Sequence, residues 1–173
     1  MKTLLTTRQL DITIQRLCHQ VEENHPGLRD VAIIGLQPRG IFLSDRMMAR
    51  LKDWNPDAKL LYGKLDITFY RDDIRQGLHQ ANQTRIPFSL ENKQVVLVDD
   101  VLYTGRTIRA ALDALLDYGR PAQVELCVLI DRRFSRHFPI QANYVGKPID
   151  SINSQKVKVN WQENAGTDEV ILL

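Results

Sequence analysis

The stretch QVVLVDDVLYTGRT, residues 94–107, decides how the chain is read. Val95 to Val98 form a continuous apolar run, the mark of a strand buried on both faces. Two adjacent carboxylates, Asp99 and Asp100, stand at its end. Val101 to Arg106 reads as a tight polar loop around Gly105. A helix opens at Thr107, with Ile108, Ala111, Leu112 and Leu115 on one side. Glycine lets the backbone take φ > 0, so successive N–H groups turn inward as an anion nest. The helix N-terminus adds its dipole and free N–H groups, and Thr104 and Thr107 add hydroxyls. The result is a seat for a dianionic phosphomonoester. Acids facing a phosphate would repel it, whereas acids a few ångströms away suit the vicinal hydroxyls of a ribose. Spacing alone leaves another reading open, in which the two acids cap a turn and Gly105 serves a tight loop. Neither GxxxxGK[ST] nor GxGxxG occurs, so this is not a Walker loop or a dinucleotide fingerprint.

Outward from this motif the elements alternate. Leu10, Ile14, Leu17, Cys18 and Val21 predict an amphipathic helix over about 8–24, ended by Pro26-Gly27. Residues 31–36 (VAIIGL) predict a buried strand, and residues 39–53 a helix with Ile41, Met47, Met48 and Leu51 apolar. Residues 59–69 are strand-like. From Tyr70 to Lys93 periodicity stops, the mark of an active-site lid or β-arm. Residues 107–118 form the helix of the motif, closed by Gly119 and Pro121. Residues 124–130 form a further strand, and short β-like pieces fall at 143–146, 156–161 and 169–172. Strands alternating with helices predict an α/β fold with a parallel sheet and helices on both faces. In such sheets ligands bind beyond the carboxyl ends of the strands.

Composition narrows the class. The 173 residues are 43% apolar and 25% charged, an ordinary globular profile in one domain, 1–173. Lys and Arg number 23 against 21 Asp and Glu, a net charge of +2, too near balance for a life of non-specific nucleic-acid binding. No apolar run reaches the ~20 residues of a membrane span, and MKTLLTTRQL is too polar for a secretory signal. Cys18 and Cys127 lie in apolar contexts without metal spacing and read as buried reduced thiols in a cytoplasmic protein. His19, His25, His79 and His137 do not cluster, which gives no support to a metal site or a histidine base.

DITFYRDD at 66–73, VVLVDDVLYTGRTIRAALDAL at 95–115, YGRP at 118–121, LIDRR at 129–133 and NYVGK at 143–147 resemble the PyrR family. These are type I phosphoribosyltransferases, pyrimidine-operon attenuators with uracil phosphoribosyltransferase activity. The resemblance implies a parallel sheet of about five strands, with helices on both faces and a small hood built from the N- and C-terminal segments. It implies a long active-site loop over about 70–93 and phosphoribosyl transfer from phosphoribosyl pyrophosphate (PRPP) to uracil, giving UMP. Mg²⁺ bound through PRPP or pyrophosphate is the implied cofactor and a homodimer the implied assembly.

By the same resemblance Asp99 and Asp100 hold the ribose hydroxyls and, with Arg39, carry the chemistry. Val101, Leu102, Tyr103, Thr104, Gly105, Arg106 and Thr107 match the 5′-phosphate and ribose loop. Pro38, Arg39 and Gly40 match the pyrophosphate loop, joined by Arg71 and Asp72 from the base of the long loop. Pro38 stands where relatives carry Thr and supplies neither hydroxyl nor N–H, a loss of about 0.5–1.5 kcal/mol per missing bond. Arg132 matches an arginine near the base or lid. Arg16, His19, Arg136 and Lys147 match basic positions of an RNA surface. Gln141 and Asn143 replace an arginine and an aspartate there, and Gln15 stands where relatives carry Thr, which weakens the RNA expectation. The alternatives are an RNA-binding attenuator with little catalysis and a phosphoribosyltransferase for another base.

Overall fold

The structure is a computed structural model and describes residues 1–72 and 82–173. Its elements are β1 (Lys2–Leu5), α1 (Thr7–Asn24), β2 (Val31–Leu36), α2 (Gly40–Trp54), β3 (Leu61–Leu65), β4 (Gln94–Leu102), α3 (Arg106–Leu115), β5 (Gln123–Arg133), β6 (Tyr144–Asp150), β7 (Val157–Asn160), α4 (Gln162–Ala165) and β8 (Glu169–Leu172). A five-stranded sheet runs β3-β2-β4-β5-β6, with every neighbouring pair parallel. A three-stranded antiparallel sheet, β1-β8-β7, ties residues 2–5 to residues 157–172.

The period of two along the central strands sorts side chains into two cores. Val31 and Ile33 of β2, and Val96 and Val98 of β4, pack with Leu10, Ile14 and Leu17 of α1 and Leu43 and Met47 of α2. The intervening Ala32, Ile34, Val95 and Leu97 pack with Ile108, Ala111 and Leu115 of α3. Helices therefore cover both faces, as the continuous apolar runs require. Leu4, Leu5, Val159, Trp161 and Val170 of the small sheet join the first core. α1 begins at a capping box, with Thr6 Oγ1 accepting the Gln9 N–H while Gln9 Oε1 accepts the Thr6 N–H.

Several boundaries differ from those the sequence predicts. β4 continues through Leu102, because Val101 and Leu102 still pair with Ile130 and Asp131 of β5. β3 ends at Leu65, short of the strand predicted over 59–69. Asp66 Oδ1 accepts both the N–H and the hydroxyl of Thr68, an Asx turn that diverts the chain. The β-like piece predicted at 143–146 grows into β6 and becomes the edge of the large sheet. β1 carries too few residues to show a period and is absent from the sequence reading. The long loop predicted over about 70–93 is narrower than expected. Arg85 bridges Lys64, and Ile86 and Leu90 are buried in the second core, so its latter part belongs to the body of the fold. Asp73, Arg75 and His79 lie outside the described residues.

Candidate active site

β4 delivers the acid pair to the carboxyl end of the sheet. Asp99 and Asp100 are successive strand residues and leave the backbone on opposite sides. Each fixes one oxygen on the following amide. The Asp100 N–H donates to Asp99 Oδ1 at 2.8 Å, and the Val101 N–H donates to Asp100 Oδ1 at 2.8 Å. Both carboxylates are buried. The start of α2 presses on Asp99: a Cβ added to Gly40 would lie 2.7 Å from the Val98 carbonyl oxygen and 3.1 Å from Asp99 Oδ1. Glycine at 40 is thus demanded by packing of the 37–40 turn against β4. Arg39, 63% exposed along its side chain, lays Nε 3.4 Å from Oδ2 of the 4%-exposed Asp100. Burial holds the Asp99 carboxyl well above the usual carboxylate range, and the charge of Asp100 pushes the same way. A carboxyl that retains its proton both donates and accepts, which suits it to hydroxyl partners.

Beyond β4 the chain turns at Gly105, whose φ of +89° is open to glycine at little cost. Gly105 caps α3, a ten-residue helix, and offers no side-chain acceptor to the N–H groups of its first turn. Thr104 Oγ1 accepts the Arg106 N–H at 3.4 Å. Leu102 is buried, so its side chain serves the core, and Val101 packs against the first core. Tyr103, Thr104, Arg106 and Thr107 are partly exposed around the turn.

The pyrophosphate-loop residues Pro38, Arg39 and Gly40 stay together at the end of β2, and the Gln37–Pro38 peptide is cis. Arg71 and Asp72, at the base of the long loop, lie beside the start of α3. Arg71 Nη1 donates to Thr107 Oγ1 at 3.2 Å. Asp72 takes Arg106 Nη1 at 3.1 and 3.2 Å, and Arg109 lies 3.8 Å away. Opposite charge holds Asp72 there, because Arg106 and Arg109 of α3 draw the carboxylate.

Arg132 sits over the Tyr103 ring, its Cζ 3.9 Å from the centroid. Its remaining donors reach Ser151 Oγ and the carbonyls of Ile152 and Gln155, fixing the segment after β6. The residues matched to an RNA surface make contacts within the chain. Arg136 donates to the carbonyls of Ile140, Tyr103 and Arg132 and to Asp131, so most of its donors are engaged inside the molecule. Arg16 donates to the Gly146 carbonyl and Lys147 to the Leu4 carbonyl. His19 stacks on Trp54 with centroids 4.2 Å apart and remains largely exposed. Asp131 and the 136–138 segment behind Tyr103 and Thr104 went unread, because residues 133–143 carry neither a helical nor a strand period.

Comparison with known proteins agrees with this geometry. The phosphoribosyl transferase domain matches residues 1–164. The bifunctional protein PyrR of Chloroflexus aurantiacus is 43% identical over 174 residues, 99% of this chain and 94% of the relative. That of Deinococcus deserti is 45% identical over 172 residues, 98% of this chain and 93% of the relative. The chain belongs to the PyrR family of phosphoribosyltransferases. Among solved structures, hypoxanthine phosphoribosyltransferase of Trypanosoma cruzi shares the fold, with a TM-score of 0.76 at 18% identity over 100% of this chain and 96% of that one. A hypoxanthine phosphoribosyltransferase of Staphylococcus aureus does likewise, with a TM-score of 0.68 at 24% identity over 87% of this chain and 79% of that one.

Proposed function

We propose that this PyrR-family chain transfers the phosphoribosyl group of PRPP to uracil, giving UMP and pyrophosphate, and that UMP links the enzyme to control of pyrimidine synthesis. The observation that carries the reading is the acid pair at the end of β4, followed at once by the left-handed Gly105 turn and the open N-terminus of α3. The turn and helix start take the 5′-phosphate, and the acids take the ribose hydroxyls beside it. Uracil, rather than a purine, is favoured by relatives called bifunctional PyrR at 41–45% identity.

In this reading Arg39 leaves Asp100 for the incoming diphosphate, where its planar fork matches two oxygens. Asp100 is thereby freed for the ribose, and its charge favours the cation that develops at the anomeric carbon. Asp99, whose carboxyl is raised above the usual range by burial and by Asp100, offers a hydrogen bond to the second hydroxyl. Asp99 and Asp100 carry the hard oxygens that would suit a Mg²⁺ ion, which would supply charge neutralisation of the leaving diphosphate. No covalent enzyme intermediate is required, since positioning and exclusion of water lower the barrier to heterolysis.

The test is an assay of purified protein with Mg²⁺, PRPP and either uracil or hypoxanthine. UMP formation from uracil supports the reading. Turnover with hypoxanthine alone overturns the base assignment. RNA attenuation belongs to the same proposal in weakened form, because Gln141 and Gln15 replace family contacts and most donors of Arg136 are engaged internally. A gel shift with pyrimidine-operon leader RNA is expected to show weak UMP-dependent binding, and tight binding would contradict this. A homodimer completes the proposed assembly. No helix among the described residues is long and apolar enough to cross a membrane.

A further inference from the structure

The segment after β5 forms the back of the phosphate turn. Arg136 Nη1 donates to the Tyr103 carbonyl at 2.6 Å. The N–H groups of His137 and Phe138 donate to the Thr104 carbonyl at 2.8 and 3.2 Å. Arg136 is itself held from three further sides, by the Ile140 carbonyl at 2.9 Å, the Arg132 carbonyl at 2.9 Å and the Asp131 carboxylate. Ile140 packs behind Gly105, where a Cβ would come within 3.0 Å of its Cγ1.

These contacts have a geometric consequence. Gln37–Pro38 is the one cis peptide among the described residues, so the 103–104 and 104–105 peptides are trans. In a trans peptide the N–H points opposite to the C=O. Drawing the Tyr103 and Thr104 carbonyls back onto the 136–138 segment therefore aims the Thr104 and Gly105 N–H groups forward, beside the start of α3. Neither N–H has an acceptor among the described residues. Two parallel donors at a helix N-terminus form an anion nest only while both peptide planes keep this setting.

We propose that Arg136 is a positioning residue for the 5′-phosphate: it touches no substrate and acts by locking the Tyr103–Thr104 peptide plane. The proposal rests on the phosphoribosyl reading of the turn. The 5′-phosphate does not react, so its loss of donors weakens ground state and transition state alike and is read in KM rather than kcat. Losing the alignment of one charge-assisted donor corresponds to about 10- to 100-fold in affinity.

The experiment compares wild type with Arg136→Met and Arg136→Lys, measuring KM and kcat with PRPP and, by calorimetry, the Kd of UMP and of uridine. Arg136→Met is expected to raise the KM for PRPP and the Kd of UMP by at least 10-fold. Uridine, which lacks the phosphate, is expected to bind with unchanged affinity, and kcat to fall by less than about threefold. Lysine keeps one donor and is expected to restore part of the loss. If Arg136→Met does not fold, Asp131→Asn, which loosens the anchor of Arg136, is expected to show the same phosphate-selective loss in smaller measure. Equal weakening of UMP and uridine, or no weakening of either, overturns the role given to Arg136. Failure of wild-type protein to bind UMP or PRPP overturns instead the reading of the turn itself.

Discussion

Replacing Gly40 with alanine perturbs the site through a single atom. The added Cβ would stand 2.7 Å from the Val98 carbonyl oxygen and 3.0 Å from Asp99 Cα, while ordinary contact begins at 3.4 Å. Relief requires a displacement of about 0.7 Å, the difference between 3.4 and 2.7 Å. β4 cannot supply it, because it is paired on both sides, with β2 and β5, at the centre of the sheet. The 37–40 turn and the start of α2 must move instead, and overpacking of this kind costs about 1–3 kcal/mol. Arg39 precedes the crowded residue and moves with it, away from Asp100. A misplacement approaching 1 Å lowers rate by up to about 10²-fold. Gly40→Ala is therefore expected to lose about 2 kcal/mol in urea unfolding and at least about 10-fold in kcat/KM for PRPP. Wild-type stability together with wild-type kcat/KM would refute the packing argument and the placement of Arg39.

Asp99→Asn replaces a carboxyl whose folded-state pKa is raised by burial and by Asp100. Such a group favours folding below its unfolded pKa, and that contribution is lost as pH rises through the folded value. Wild type is expected to lose stability relative to Asp99→Asn as pH rises above about 4, while the variant loses transferase activity; parallel stability curves would contradict the shift. Glu125→Ala removes the acceptor shared by His25 Nε2 at 2.7 Å and the Tyr144 hydroxyl at 2.6 Å. Orphaning the buried Tyr144 hydroxyl and the partly buried His25 ring is expected to cost about 3 kcal/mol, or roughly 6–12 °C in Tm; an unchanged melting curve would count against it. Burial pushes the Cys18 thiol up to about 12 and raises that of Cys127 as well, so iodoacetamide is expected to leave both unmodified in the folded protein at pH 8, and rapid alkylation would contradict their enclosure.

The central βα unit was legible because its pattern is local. A run of apolar residues, two acids, a glycine and a helical period lie within residues 94–115, and the structure keeps that order. The extension of β4 through Leu102 was not legible, because two further pairs with β5 outweigh the loop-like look of the acids. Gly40 matches the pyrophosphate loop by motif, whereas its close approach to the chain's own β4 is a contact between residues far apart in sequence. The same holds for Arg136. A lone basic residue in an aperiodic segment reads as a solvated charge, and only the folded chain brings it to the Tyr103 carbonyl. Asp72 shows the reverse limit. The two arginines that hold it sit on α3, at positions that helical period alone marks as surface.

The central claim is a phosphate held at the Gly105 turn with a ribose on the neighbouring acids, and a crystal structure with UMP tests it most directly. The account predicts the phosphate within hydrogen-bonding distance of the N–H groups of residues 104–107 and the ribose hydroxyls on Asp99 and Asp100. UMP bound elsewhere, or a phosphate at the turn with the ribose directed away from both acids, would contradict it.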